Sequence, residues 1–294
     1  MSSIFESSPA AAGWPFYQHI IFDCDSTLSA IEGIDHLAAH PDTKQRIVAL
    51  TNAAMDGEIP LDAIYGKRLE LISPSRQAVQ QLAQHYQTHI VPGAREVVSG
   101  LINLGCDVYI VSGGLIEPVK EFGISLGVSA ANIRAVEIQY DQLSGNWWQN
   151  EPVSPEQLKN QRYLTYRQSD LAESDGKARI IDQLIRGKKG ASLLIGDGIS
   201  DLMARNAVDL FVGFGGVVAR QKVLHCAPVF IQSKSLVQLL AIALGDRTFF
   251  KLNKNLRDAV SADLEKRPPV FNRQTLRQHF ESCFASPSGS NQPT

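Results

Sequence analysis

Five short apolar runs, each followed by glycine or polar residues, constrain the fold of this chain more than any other feature. They occupy residues 20–22, 106–111, 192–195, 210–214 and 229–231, and helix-like stretches separate most of them. Strands that are apolar on both faces are typical of a parallel sheet, and their alternation with helices indicates a doubly wound α/β fold. Ligands in such folds bind beyond the carboxyl ends of the strands, so the residues after each run are the candidates for chemistry.

The interval between the first two runs is too long for a simple crossover, at about eighty residues. Its apolar residues recur at approximately helical spacing, as at Leu61, Ile64 and Leu69. We therefore predict a helical cap domain at 31–90, inserted into a catalytic core made of 17–30 and 91–245.

The remaining segments are predicted from local patterns. Residues 1–16 resemble a loose lead-in, 133–148 a hairpin that turns at Ser144 and Gly145, and 149–174 an extended polar loop. Apolar stripes at helical spacing predict a helical extension over 246–294 with a disordered tail. These stripes would pack against the core, and a homodimer contact is the alternative.

Charge and cysteine usage exclude several classes of protein. A net charge of −2 gives no electrostatic footprint for nucleic acid, and no apolar run approaches the length of a membrane span. The 4 cysteines are scattered without a CxxC pair, so neither a zinc site nor a disulfide framework is indicated. The first residues show no signal peptide. We expect a soluble, cytoplasmic protein.

Two acids follow the first apolar run. Asp23 and Asp25 are two residues apart, so in an extended backbone both carboxylates project to the same side. Their mutual repulsion raises the pKa of one of them, and a divalent cation would relieve it. A pair of solvated acids at a strand–loop junction is the structural alternative.

Other strand ends carry complementary groups. Ser112 and Gly113 follow the second run and offer a hydroxyl and backbone N–H groups to a phosphate. Lys177 lies in the first turn of a predicted helix, where its charge opposes the helix dipole unless an anion is bound. Asp197 and Asp201 follow the 192–195 run. Carboxylates for Mg²⁺ together with cationic and amide donors predict phosphoryl transfer.

Each of these features alone has a structural explanation. Ser112 could be an ordinary helix N-cap, as could Ser200 or Asp201, and Lys177 could be a surface accident. Their order along the chain and their common position after strands make the functional reading the stronger one.

The motifs resemble those of a known family. Residues 22–28 (FDCDSTL), 112–114 (SGG), 175–177 (DGK) and 196–201 (GDGISD) are similar to the four ordered motifs of the haloacid dehalogenase superfamily. Residues 55–60 (MDGEIP), 67–75 (KRLELISPS) and 211–216 (FVGFGG) are similar to stretches of its phosphoserine phosphatase family. The resemblance covers roughly residues 18–245.

The resemblance implies a role for each catalytic residue. Asp23 would attack phosphorus to form an aspartyl-phosphate, and Asp25 would protonate the leaving alkoxide and then activate water. Mg²⁺ would be held by the Asp23 carboxylate, the Asp25 backbone carbonyl and Asp197, with Asp201 as a supporting partner. Ser112, the Gly113 amide and Lys177 would hold the phosphoryl oxygens. The implied function is dephosphorylation of L-phosphoserine in serine biosynthesis.

The resemblance also implies substrate contacts from the cap. Arg68 would grip the substrate carboxylate, Glu32 would pair with the ammonium group, and Met55 and Ser200 would line the site. Alternatives stay open for three of them. Glu32 completes a capping-box pattern with Ser29, Arg68 could be an exposed helix charge, and Met55 could be core packing.

Three other functions compete with this reading. The chain could act on another small phosphomonoester, or pass the phosphoryl group to an alcohol. It could be a phospho-accepting signalling module, since receiver domains also use a strand-end Asp, a metal, Ser or Thr and Lys. It could be an inactive scaffold. The second acid, Asp25, and the large cap oppose the signalling module, and every chemical position is filled, which opposes the scaffold.

Overall fold

The computed structural model of the chain describes residues 13–141, 156, 159, 161–167 and 170–284. Its centre is a seven-stranded sheet, accompanied by a separate pair of strands. In chain order the strands are β1 (Tyr17–Phe22), β2 (Asp107–Leu115), β3 (Ile133–Val136), β4 (Ile138–Tyr140), β5 (Tyr163–Tyr166), β6 (Ala191–Gly196), β7 (Leu210–Phe214), β8 (Val229–Ile231) and β9 (Val270–Phe271).

The main sheet has the strand order β3-β2-β1-β6-β7-β8-β9. Every neighbouring pair is parallel except β8 and β9. Each of the five predicted runs falls on a strand of this sheet, with Cys106 directly before β2, which confirms the doubly wound α/β prediction. The strand order reverses beside β1, since β2 and β3 lie on one side and β6 to β8 on the other. The carboxyl ends of β1 and β6 therefore flank the position where such folds bind ligands.

Burial on both faces explains why the central strands are predominantly apolar. Side chains alternate between the two faces of a strand, so Ile20 and Phe22 belong to one hydrophobic cluster and Ile21 to the other. All three are fully buried. Most polar residues consequently lie toward the strand ends, although the buried His19 and Ser112 lie within β1 and β2.

Helices cover the sheet and fill the long interval after β1. They are α1 (Gly33–His36), α2 (Pro41–Met55), α3 (Leu61–Ile72), α4 (Arg76–Thr88), α5 (Ala94–Asn103), α6 (Ile116–Ser125), α7 (Gly176–Ile185), α8 (Ile199–Met203), α9 (Gln221–Cys226), α10 (Leu239–Phe249), α11 (Lys254–Lys266) and α12 (Gln274–Phe284). We call α1 to α4 the cap. The helical insertion is as predicted, while the bounds 17–30, 91–245, 31–90 and 246–294 stay predictions.

The cap helices show why this stretch is helical. The Ser75 hydroxyl accepts a hydrogen bond from the Ala78 amide and so caps α4. The buried side chains of α4, such as Val79, Leu82 and Tyr86, recur every three or four residues. One apolar face of α4 is therefore buried and the rest faces water.

The predicted hairpin and polar loop are wrong where the structure describes them. Strand β3 joins the main sheet beside β2, and β4 pairs antiparallel with β5, which lies inside the predicted loop. The predicted turn at Ser144 and Gly145 lies outside the described residues. A pairing across more than twenty residues leaves no local trace in the sequence.

The end of the predicted lead-in is part of the core. Trp14 is buried, and its indole N–H donates to the Ile242 carbonyl at 2.8 Å. Gly245 in α10 has φ +68°, and a Cβ there would lie 2.5 Å from the Trp14 carbonyl oxygen. Glycine adopts this positive φ without strain and has no Cβ, so the backbone at Trp14 can pack directly against Gly245. Residues 1–12 lie outside the described part of the chain.

The residues after Gly245 pack as predicted but are not entirely helical. Val260, Leu276 and Phe280 are buried in the same cluster as Trp14, and β9 extends the main sheet. Two residues are too few for any periodicity to indicate a strand. The predicted disordered tail, after residue 284, lies outside the described residues. Within the described residues, none of the helices combines the length and the hydropathy that a membrane span requires.

Candidate active site

Asp23 and Asp25 lie directly beyond β1, as the sequence predicts. The Asp23 amide donates to the Ile195 carbonyl of β6 at 2.9 Å, which fixes this strand end beside its neighbour. Both acids line one cavity between the sheet edge and the cap. The alternative of two solvated acids is wrong for Asp23, which is buried.

Lys177 is a buried cation between two acids. Its Nζ donates to Asp23 Oδ1 at 2.8 Å and to Asp201 Oδ1 at 2.6 Å. Burial by itself disfavours the charged form, but the two carboxylates reverse that effect and raise the pKa of Lys177. Lys177 is therefore a charged member of the site, and the surface explanation for it is wrong.

Three carboxylates converge at the ends of β1 and β6. Asp23, Asp197 and Asp201 are all buried, and one oxygen of each lies within 4.8 Å of the others. Hard oxygen donors in this number suit Mg²⁺. The second oxygen of Asp201 accepts from the Gly198 amide at 3.1 Å, so both its oxygens are already used by protein donors.

Burial decides the electrostatics of these acids. It raises the pKa of Asp23 to about 7, although Lys177 pulls that pKa down. It raises the pKa of Asp197 well above its usual range, and the charges of Glu32 and Asp23 add to the effect. Buried acids with raised pKa values are groups that a divalent cation would stabilise in their ionised form. The residues present therefore fit a divalent metal.

Asp25 points away from the three clustered acids. Its Oδ1 accepts hydrogen bonds from the Gly33 amide at 2.8 Å and from the Tyr86 hydroxyl at 2.7 Å, both on the cap. Its Oδ2 lies 3.5 Å from the Ser112 hydroxyl. Burial, followed by the charges of Glu32 and Asp23, raises the pKa of Asp25 well above the usual range. The Asp25 side chain is thus held by two donors of the cap, and it is not one of the three clustered acids.

The Ser112 to Gly114 segment belongs to β2 and not to a helix start. Ser112 is fully buried, and its hydroxyl oxygen accepts from the Gly114 amide at 2.9 Å. Residue Leu115 occupies the N-cap position of α6, so the N-cap explanation for Ser112 is wrong. A Cβ on Gly114 would lie 2.7 Å from Asp25 Oδ2, which explains a glycine at this close approach.

The predicted cap contacts line the same cavity as the strand-end acids. Its walls include Glu32, Met55, Arg68 and Ser200 together with Gly113 and Lys177. Met55 also packs against the core, and its contact with the substrate stays a prediction. The N-cap of α8 is Gly198, and Asp201 accepts from its amide; Ser200 is not the cap.

Two structural alternatives for the cap residues fail. Glu32 accepts from the Ser26 hydroxyl at 2.7 Å and makes no side-chain cap bond, while the Ser29 hydroxyl donates to backbone carbonyls. The capping box is therefore absent. Arg68 is only 3% exposed, and its Nη1 donates to the Thr51 hydroxyl at 2.8 Å. A buried guanidinium at a cavity wall is not an exposed helix charge.

Comparison with known proteins identifies the family. Human phosphoserine phosphatase is 34% identical over 214 residues, which cover 72% of this chain and 88% of the human protein. The chain belongs to the phosphoserine phosphatase family. No protein-family model matches it. The identity with human phosphoserine phosphatase confirms the family predicted from the motifs.

Solved structures agree with the fold of a phosphoserine phosphatase. A phosphoserine phosphohydrolase-like protein from Francisella tularensis is 26% identical, with a TM-score of 0.57, over 74% of this chain and 95% of that one. An analogue of the phospho-aspartyl intermediate of phosphoserine phosphatase has a TM-score of 0.61 at 22% identity, over 76% of this chain and 98% of that one. The predicted fold class is confirmed.

Sequence reasoning missed Arg220 in this phosphoserine phosphatase family member. Arg220 is buried, and it donates to Asp197 Oδ2 at 3.2 Å and to Asp56 Oδ1 at 3.0 Å. Arg220 thus links Asp197 at the end of β6 to Asp56, which directly follows α2. Its position shortly after β7 was a usable signal, because the strand-end rule applies to every strand of the sheet.

Two tyrosines of the cap were also missed. Tyr86 donates to Asp25, and Tyr65 donates to the Gly113 carbonyl at 2.8 Å. Both are fully buried within helices, where an aromatic residue usually indicates packing. No sequence pattern distinguishes a packing tyrosine from one whose hydroxyl reaches a catalytic group.

Proposed function

We propose that this chain is a Mg²⁺-dependent hydrolase that releases phosphate from L-phosphoserine through an aspartyl-phosphate intermediate. One observation carries the proposal. One cavity is lined by the strand-end acids and the buried Lys177, and also by the buried Arg68 of the cap and the half-buried Glu32. The first group suits a phosphoryl group and the second suits an amino acid. The identity with human phosphoserine phosphatase supports the same substrate.

In the first step Asp23 is the nucleophile. Its carboxylate attacks phosphorus, the bond from phosphorus to the seryl oxygen breaks, and the serine alkoxide takes a proton from Asp25. Burial raises the pKa of Asp25 well above its usual range, which favours the protonated carboxyl group that this step requires. Tyr86 and Gly33 fix the carboxyl group through Oδ1.

In the second step the aspartyl-phosphate is hydrolysed. Asp25, now ionised, accepts a proton from a water molecule whose oxygen attacks phosphorus, and the Asp23 carboxylate leaves. Ser112, the Gly113 amide and Lys177 hold the phosphoryl oxygens. Lys177 also lowers the pKa of Asp23 through the 2.8 Å hydrogen bond, which favours the ionised nucleophile.

A divalent cation would offset the negative charge of the clustered carboxylates. Asp23, Asp197 and the Asp25 backbone carbonyl would hold Mg²⁺, and Asp201 would fix Lys177 beside it. When bound, the cation supplies positive charge to the phosphoryl oxygens.

The amino-acid end of the substrate meets the cap. Arg68 can pair with the carboxylate through two parallel hydrogen bonds, and Glu32 can accept from the ammonium group. Thr51 holds Arg68 and in turn donates to Asp35 at 2.5 Å. This chain of contacts fixes the guanidinium before the substrate arrives.

Phosphate release from L-phosphoserine with Mg²⁺ tests the reaction. Asp23→Asn should abolish release, because an amide is not a nucleophile toward phosphorus. Asp182→Asn, the same change on an exposed residue of α7, should leave activity unchanged. Full activity of Asp23→Asn would overturn the nucleophile assignment.

Arg68→Ala tests the recognition of the carboxylate. It should raise KM for phosphoserine far more than KM for an aryl phosphate, which has no carboxylate. Arg46→Ala, an exposed arginine of α2, is the matched control. Equal changes in KM for both substrates would argue against the role of Arg68.

A screen of small phosphorylated metabolites, with and without acceptor alcohols, separates phosphoserine hydrolysis from the related activities. A phosphoenzyme that persists for hours after treatment with a phosphodonor would instead support a signalling module. The cytoplasmic location, the absence of nucleic-acid and membrane partners and the homodimer stay predictions.

A further inference from the structure

Tyr65 is a cap residue that contacts the phosphate-binding segment of the core. It lies in α3, is 0% exposed, and its hydroxyl donates to the Gly113 carbonyl oxygen at 2.8 Å. The tyrosine itself belongs to the cap, while its hydroxyl bonds to strand β2 of the core. The hydrogen bond exists only while the cap is seated on β2.

The bond from Tyr65 holds one end of a peptide unit whose other end faces Ser112. The carbonyl of Gly113 and the amide of Gly114 belong to the same planar group. That amide donates to the Ser112 hydroxyl oxygen at 2.9 Å. Fixing the carbonyl therefore fixes the direction of the N–H, and the N–H occupies a lone pair of the serine oxygen. The serine proton is then directed toward Asp25 Oδ2, 3.5 Å away, and Asp25 lines the cavity.

The ring of Tyr65 contacts Arg68 of its own helix and Tyr166 of β5. The Arg68 guanidinium carbon lies 5.4 Å from the ring centroid, and the Tyr166 ring of β5 lies 5.1 Å away. Arg68 is three residues further along α3, on the same helical face. Displacement of Arg68 and displacement of Tyr65 are therefore linked through a single helix.

We propose that Tyr65 is a positioning residue that couples the seating of the cap to the orientation of the Ser112 hydroxyl. The inference rests on the proposed function, because Ser112 matters only if it holds a phosphoryl group. A substrate that engages Arg68 holds α3 in place, and α3 holds the Gly113–Gly114 peptide through Tyr65. Recognition of the amino acid is thereby transmitted to the phosphoryl site.

Tyr65→Phe removes the hydroxyl and keeps the ring. It should lower kcat for phosphoserine about three- to tenfold, the size expected for one hydrogen bond, and leave KM within about twofold. Tyr17→Phe is the matched control, since Tyr17 is also 0% exposed and its hydroxyl has no hydrogen-bond partner among the described residues. Tyr17→Phe should leave kcat unchanged.

A double-mutant cycle with Ser112→Ala tests the route of the effect. If Tyr65 acts through Ser112, adding Tyr65→Phe to Ser112→Ala should change kcat by less than about twofold. A merely structural role would give the same loss in both backgrounds. Additive losses, or a Tyr65→Phe protein that behaves as Tyr17→Phe, would overturn the proposal.

Binding of orthovanadate separates this inference from the proposed function. Orthovanadate mimics five-coordinate phosphorus, and its dissociation constant can be measured by calorimetry whichever phosphomonoester is the substrate. Tyr65→Phe should raise that constant about three- to tenfold, and not in the Ser112→Ala background. If the wild-type protein does not hydrolyse phosphoserine, but Tyr65→Phe still weakens orthovanadate binding only when Ser112 is present, the proposed substrate is refuted and the role of Tyr65 is kept. If Tyr65→Phe leaves the orthovanadate dissociation constant unchanged, the role of Tyr65 is refuted.

Discussion

Removing Lys177 tests the electrostatics of the site without any assay of activity. In protein stripped of divalent metal, Lys177→Met leaves Asp23 and Asp201 buried without their cation. Lys177 makes two charge-assisted hydrogen bonds, of 2.8 and 2.6 Å. Breaking a buried ion pair by removing one partner costs about 3–5 kcal/mol. For a chain of this size, a loss of that order lowers Tm by about 5–8 °C.

The loss should depend on pH. Burial already raises the pKa of Asp23 to about 7 while Lys177 pulls it down, so removing the lysine raises that pKa further. A raised acid pKa contributes stability that is present at low pH and is lost as pH rises through the folded-state value. The Tm difference between wild type and Lys177→Met should therefore be larger at pH 8 than at pH 6. Saturating Mg²⁺ should reduce it, since the cation replaces part of the missing charge.

Thermal unfolding followed by circular dichroism, in chelator and at the two pH values, measures this difference. Lys188→Met is the control, since the exposed Lys188 donates to the Tyr109 hydroxyl at 2.7 Å and not to a carboxylate. It should cost about 1 kcal/mol or less. If Lys177→Met melts within about 2 °C of wild type at pH 8 without metal, the buried charge network does not contribute as argued.

Three further changes have defined outcomes. Tyr86→Phe should lower kcat about three- to tenfold, because Asp25 loses a 2.7 Å hydrogen bond that orients it; steady-state kinetics measures this. Gly196→Ala would place a Cβ against the Asp201 carboxyl group and displace that acid, so activity should fall about 100-fold. The circular dichroism spectrum should remain that of the folded protein. Asp35→Asn should stabilise the protein increasingly as pH rises from 4 to 7 in urea unfolding, because burial raises the pKa of Asp35 to about 6 and its ionisation destabilises the fold.

A different outcome in each of these three experiments would contradict the stated role of the residue concerned. An unchanged kcat in Tyr86→Phe would mean that Asp25 is oriented by the Gly33 amide alone. Wild-type activity in Gly196→Ala would mean that Asp201 has no fixed role. An Asp35→Asn stability difference that is flat between pH 4 and 7 would mean that Asp35 is not held in a charge-excluding environment.

The catalytic acids could be predicted because their placement follows from local rules. Asp23, Asp25 and Asp197 stand directly after apolar runs, and the carboxyl ends of neighbouring parallel strands meet at one edge. Lys177 was also within reach, since a lysine in a first helical turn is out of place without an anion. The sequence therefore predicted the fold class, the family and the residues that we assign to the chemistry.

The pairing of distant segments could not be predicted in the same way. Strand β5 is separated from β4 by more than twenty residues, and β9 is only two residues long. Trp14 enters the core through a kink at Gly245, more than two hundred residues away. No periodicity within either segment reports such a contact.

By itself, the sequence determined which residue types stand at the strand ends, because side-chain alternation and the burial of parallel strands act over a few residues. Only the tertiary structure decided what holds them. The hydroxyls of Tyr86 and Tyr65 and the guanidinium of Arg220 reach catalytic elements across 61, 48 and 23 residues of sequence. A hydrogen bond depends on distance and direction in space, and neither is recorded in the local pattern of polar and apolar residues.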